Sequence, residues 1–125
     1  MREILFRGKT HKGNWVSGAY YHQTEFYGDA CDEHYIIETC DELEDNMMVL
    51  SKVIAETIGQ YTGLTDKNGK KIFEGDIVKR CGDKCVVKWI KEDAKFIIIG
   101  GMTKLDFSLF FAEQLEVIGN IHENQ

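Results

Sequence analysis

Between Thr57 and Lys79 the chain reads TIGQYTGLTDKNGKKIFEGDIVK, with glycine at positions 59, 63, 69 and 75 and apolar residues filling the intervals. Glycines spaced this way among β-forming residues mark turns and bulges. Asn68-Gly69 is the strongest reversal signal, because a type I′ turn needs two residues with positive φ and Asn-Gly tolerates that best. The stretch therefore predicts short strands joined by tight turns. It does not end in Lys-Ser/Thr ahead of a helix, as a phosphate-cradling loop would. Nor does DKNG at Asp66 to Gly69 supply the third carboxylate and distal Glu of a calcium loop.

The flanking segments extend the pattern. Aromatic and aliphatic runs on either side of Thr10 to Asn14 predict a β-hairpin over about residues 3–23. From Thr24 to Asp45 the chain carries nine carboxylates and no Lys or Arg. Charges of one sign this dense are costly to gather, so residues 24–46 read as a solvated loop with one short strand at Tyr35 to Thr39. NMMVLSKVIAET reads as strand, since Val and Ile dominate its second half. The central motif and a β-meander then occupy about 47–101. Within it GDIVKRCGDKCVVKWI forms two strands about Gly82 and Asp83, and KFIIIGG is a strand buried on both faces. In the closing segment, 102–125, Ser108 is placed to cap one helical turn, and Glu116 to Ile121 forms a last strand. The expected fold is mainly β in one domain: an N-terminal hairpin plus a small barrel-like antiparallel meander of SH3-like character, with at most one short helix. Proline is absent, so strand edges rely on charge and bulges for protection.

Composition narrows the function classes. A chain of 125 residues, 43% hydrophobic and 29% charged, is long enough to bury roughly two thirds of its unfolded surface without staples. Apolar runs such as Phe96 to Ile99 are far short of the ~20 residues that span a bilayer, and no secretion signal follows Met1. The expected location is the cytoplasm, where Cys31, Cys40, Cys81 and Cys85 stay reduced. A net charge of −6 opposes non-specific attraction to DNA or anionic lipid.

Three motifs together resemble the YopX family of phage and prophage proteins. They are TIGQYTGLTDKNGKKIFEGDIV, the leading FRGK with Trp15 and Gly18, and the closing EVIGNIHEN. The resemblance spans essentially the whole chain, from near residue 5 to near residue 124. It implies a mostly-β cytoplasmic protein of phage origin, in a family without established catalytic residues. This chain has Ala55 near the start of the TIGQYTGL strand, where the family commonly has proline.

Candidate sites were weighed on their chemistry. Cys31 and His34 with Cys81 and Cys85 offer a Cys₃His zinc set, although the knuckle glycine of paired structural sites is missing from CDEH. Cys81 and Cys85 would also face each other if residues 82–84 formed a three-residue loop, though a direct cross-strand disulfide is strained. Cys40 with His22 or His34 lacks the electropositive setting of a reactive thiol. No catalytic set and no cofactor motif is assembled by the sequence. Lys70, Lys71, Lys79, Arg80, Lys84 and Lys88 surround Tyr61, Phe73 and Trp89, a composition that suits nucleic-acid binding on a small barrel. The acidic section suggests the converse, a mimic of DNA that occupies a host protein. The leading expectation is a non-enzymatic module that binds a protein or itself through exposed strand edges, with no membrane partner.

Overall fold

The computed structural model describes residues 3–40, 47–101 and 103–123. The chain divides into two compact units at the Gln60–Tyr61 bond. Among the described residues, eleven strands, one 3₁₀ turn and one α-helical turn make up the regular structure, so the mainly β expectation holds.

In the unit Glu3–Gln60, β1 (Phe6–Lys9) and β2 (Trp15–Phe26) form the expected hairpin, with Lys9 opposite Trp15. Strand β3 (Asp29–Cys40) follows β2 through a two-residue turn at Tyr27-Gly28, and β4 (Met47–Lys52) pairs with β3. Both turn residues have positive φ, 50° and 85°, the requirement of a I′ turn that matches strand twist. The acidic section is thus no loop as far as Cys40; Asp41, Glu42, Glu44 and Asp45 lie outside the described residues. The segment's carboxylates repel one another, but the sheet brings other groups to them. Glu33 meets Lys52 of β4 at 2.6 Å, and Asp32 meets His22 of β2 as well as His34 two residues along its own strand, so neighbouring strands supply partners that the segment itself lacks. Beyond β4 the chain returns across β1: Thr10 bridges Val53, Ile54 N–H donates to the Lys9 carbonyl, and Lys9 N–H donates to Thr57 Oγ1 at 2.9 Å. A 3₁₀ turn at Ala55–Thr57 makes that return, in the neighbourhood where the family's proline would have stiffened it. Ile36 and Val53 are the buried aliphatic residues of this unit.

From Tyr61 onward the second unit holds the rest of β5 (Gly59–Thr65), β6 (Lys71–Phe73) and a five-stranded sheet. That sheet comprises β7 (Asp76–Arg80), β8 (Asp83–Ile90), β9 (Lys95–Gly100), β10 (Thr103–Asp106) and β11 (Glu116–Asn120). Its order is β10-β9-β8-β7-β11, so the meander lies open and its two end strands do not close a barrel. The core is Ile72, Val78, Cys85, Val87, Ile98, Ala112 and Leu115, each fully buried, with Leu64, Phe96, Leu105, Phe107 and Val117 packed on it. Helical turn α1 (Leu109–Ala112) starts at Ser108 as its sequence predicts, with Ala112 N–H donating to the Ser108 carbonyl. Strand β10 was not foreseen, and Leu105 is its packed residue.

Two turns differ from expectation. Gly69 has φ 81° but Asn68 is not left-handed; Gly69 N–H donates to the Asp66 carbonyl and Asp66 N–H to that of Lys70. This is a three-residue loop with glycine in the bulge position, held by the Asp66 carboxylate, which accepts from Asn68 and Lys70 N–H at 2.8 and 2.9 Å. The β7–β8 reversal falls on Cys81-Gly82, with φ 49° and 90°, one residue earlier than read.

Candidate functional site

Antiparallel pairing places directly opposed residues on one face of a sheet, and the strand period of two repeats that face at every second residue. On the β2–β3 hairpin Tyr20 opposes Ile36 and His22 opposes His34. Tyr20 and His22 are two apart on β2, as Asp32 and His34 are on β3, so all four polar side chains share a face. A bulge between Gln23 and Glu25 shifts the register just beyond His22 and brings Asp32 alongside it.

The resulting cluster is tightly connected. His22 Nε2 lies 2.6 Å and His34 Nε2 3.0 Å from the same atom, Asp32 Oδ1. The two imidazoles stack at 4.2 Å between centroids and 8° between planes. Tyr20 continues the stack over His34 at 5.8 Å, and its hydroxyl lies 2.6 Å from His34 Nδ1. Burial, reinforced by the Asp32 charge, pushes the Tyr20 hydroxyl above its ordinary range. It stays protonated and donates to His34 Nδ1, which leaves Nε2–H to donate to Asp32. The hydrogen bond from His22, opposed by partial desolvation and aided by the imidazole charges, holds the Asp32 carboxyl below its usual range. The cluster opens to water on one side, with His34 15%, His22 39% and Asp32 78% exposed. Beside it lies a concavity of about 300 Å³ lined by residues that include His11, Glu33, Lys52 and Glu56.

The residues singled out from sequence fall elsewhere, His22 and His34 excepted. Cys31 stands outside the convergent group of His22, Asp32 and His34; its Sγ donates instead to the Gln23 carbonyl at 3.5 Å. Cys81 sits exposed in the turn, while Cys85 is fully buried opposite Val78. The two thiols therefore do not face each other, and burial pushes that of Cys85 up. The Cys40 side chain lies outside the described residues. Among the basic residues, Lys79 and Lys84 oppose each other on the outer face of the β7–β8 pair, and Lys88 shares that face. Lys70 is exposed in the Asp66–Lys70 loop, Lys71 lies 5.4 Å over the Tyr61 ring, and Arg80 stacks on Phe111 at 5.3 Å. Tyr61 and Phe73 are buried, and Trp89, an odd-numbered neighbour of Lys88, points to the other face and packs edge-on against Phe96. Lys79, Lys84 and Lys88 thus lie on the face opposite to Trp89, whereas Lys71 and Arg80 each pack on an aromatic ring.

A family model described as YopX protein matches residues 5–125. The chain belongs to the YopX family. Among curated proteins no sequence matches it. The match covers every strand of this YopX-family chain, including the hairpin that carries the cluster. Among the described residues no helix is long and apolar enough to cross a membrane.

The end strands of the two sheets differ in kind. Strand β4 has no further strand beyond it among the described residues, and it exposes Met48, Val49 and Leu50 at 62%, 47% and 53%. Strand β10 exposes Lys104 and Asp106, and Asp106 pairs with Lys95 at 2.9 Å.

Proposed function

We propose that this chain is a phage- or prophage-encoded accessory protein of the host cytoplasm that works without catalysis, associating with a second copy of itself through β4. The observation that carries the reading is three consecutive exposed apolar residues on a strand whose outer edge has no strand partner among the described residues. Unpaired edges recruit strands, and proteins that avoid this place charges or proline there; residues 47–51 contain neither.

The sequence of β4 is complementary to itself. A two-fold axis normal to the sheet requires opposed residues to share a face, which is met when Val49 sits on the axis opposite its own copy. Met48 then opposes Leu50 twice, on the other face. Apolar side chains meet apolar side chains throughout, and the new ladder satisfies the free backbone groups of both edges. Sedimentation equilibrium across a dilution series tests this. The expected species has twice the 14.4 kDa chain mass, and Val49→Lys, which sets like charges against each other on the axis, dissociates it. A monomer at every concentration, or a dimer indifferent to Val49→Lys, overturns the reading.

A nucleic-acid reading is favoured by the Lys79–Lys84 pair and by Lys88 on the same face. It predicts binding of short single strands that weakens steeply with salt and is lost on charge reversal at Lys79 and Lys84. Trp89, the exposed ring next to these lysines in sequence, points to the opposite face, so the stacking platform such binding uses does not lie beside them, and self-association is the stronger reading.

A further inference from the structure

We propose that His22, Asp32 and His34 form a binding site for one divalent transition-metal ion of the Zn²⁺ or Co²⁺ class. Two imidazoles and one carboxylate are the donor set such ions favour, with positions left open for water. Among the described residues this is the group of three such side chains whose ligand atoms lie within 4.8 Å of one another. The donors already converge. Ligand atoms of a tetrahedral ion at about 2.0–2.1 Å lie about 3.3 Å apart, against 2.6 and 3.0 Å for the two Nε2–Oδ1 separations here, so the donor atoms need open by less than about 1 Å, while the stacked imidazoles, 8° apart in plane, must also tilt to aim both Nε2 lone pairs at one ion.

The surroundings suit a ligand role as well as a hydrogen-bonded one. In the metal-free arrangement each Nε2–H donates to Asp32. Binding requires the Nε2 lone pair, so each ring gives up its Nε2 proton and carries its remaining one on Nδ1. For His34 that Nδ1–H meets the Tyr20 hydroxyl oxygen at 2.6 Å, which accepts as readily as it donates. Tyr20 is then the outer partner that fixes the orientation and tautomer of a metal-bound imidazole. Register on two paired strands, rather than a mobile loop, holds both histidines, so the site is built before the ion arrives. The exposed side of Asp32 and the adjoining concavity give an entry path and room for water ligands.

The test uses the full chain after chelation and dialysis, titrated with Zn²⁺ by calorimetry and with Co²⁺ by visible absorption. One ion per chain is expected, and the Co²⁺ spectrum should show weak ligand-field bands without the intense charge transfer of a thiolate. Asp32→Asn, a change at an exposed position that leaves the fold intact, should weaken binding about tenfold or more, and Tyr20→Phe by about tenfold. His22→Ala should abolish it. Failure to take up either ion overturns the proposal. So does a thiolate spectrum, or binding that Asp32→Asn and His22→Ala leave unchanged, because the ion then sits on cysteine.

Discussion

The two units solve the problem of a small β protein in different ways. The unit from Tyr61 onward invests its aliphatic residues in one interior, seven fully buried side chains deep, and anchors its loops with buried carboxylates. Asp66 accepts N–H bonds from Asn68, Lys70 and Val117, and Asp76 accepts from Phe73 N–H and the Asn120 amide. Among the described residues, the unit Glu3–Gln60 has Ile36 and Val53 as its buried aliphatics, and it carries an exposed apolar edge and a polar cluster. On the proposed reading, recognition falls to this thin interior and stability to the thicker one, so substitutions in the two units should fail differently.

The largest effect is expected in the aliphatic interior. Ile98→Ala removes a fully buried side chain from the centre of the cluster and should cost about 4 kcal/mol in chemical denaturation. Val49→Ala, of similar chemistry on the β4 edge, should cost under about 0.5 kcal/mol at dilutions where the chain is monomeric and that edge is uncovered. Equal losses would show that β4 is covered.

A matched pair of glycines comes next. A Cβ on Gly18 would lie 2.1 Å from the Ile37 carbonyl oxygen, and one on Gly100 would lie 2.2 Å from that of Lys84. Neither clash can be relieved by a side chain, so Gly18→Ala and Gly100→Ala should each cost about 3 kcal/mol. Hydrogen exchange separates them: Gly18→Ala should lose protection first in β2 and β3, and Gly100→Ala in β8 and β9. Simultaneous loss in both sheets for either variant would make the two units one cooperative body and erase the contrast.

Legibility in sequence follows the same division. The meander was readable because Val78, Val87 and Ile98 have local signals, β-branched runs ended by glycine, and because the Ser108 cap is a short-range feature. What was missed depends on partners distant in sequence. Tyr20-x-His22 and Asp32-x-His34 carry the two-residue period of strands, with Tyr27-Gly28 midway, yet the expected hairpin stopped near residue 23 and the carboxylates beyond it argued for a loop. Only the register, which sets His22 against His34, shows that histidine and lysine answer those charges. Asp66 misled in the opposite sense. Its short-range pattern named a turn correctly, but not the bond from Val117 N–H, 51 residues away, which ties that turn to β11.

A smaller effect, and one with a defined pH signature, belongs to that carboxylate. Burial raises the pKa of Asp66, but N–H donors from Val117, Lys70 and Asn68 outweigh it, and the net position is below the ordinary value. The unfolded chain then binds the proton more readily than the folded one. The contribution is fully present above the unfolded value of about 3.9 and is lost as pH falls through the lower folded value. Asp66→Asn keeps the shape, exchanges an ionised acceptor for a neutral one, and sets an NH₂ group near one of the three donors. It should cost about 2 kcal/mol at neutral pH. Urea denaturation at stepped pH should show the gap between wild type and Asp66→Asn closing below about pH 4. The same substitution should leave protection in β2 and β3 unchanged, because all its partners lie beyond Tyr61. A gap that persists to pH 2 would mean that the carboxylate acts through shape rather than charge, and loss of protection in β2 and β3 would mean that the anchor of one unit also supports the other.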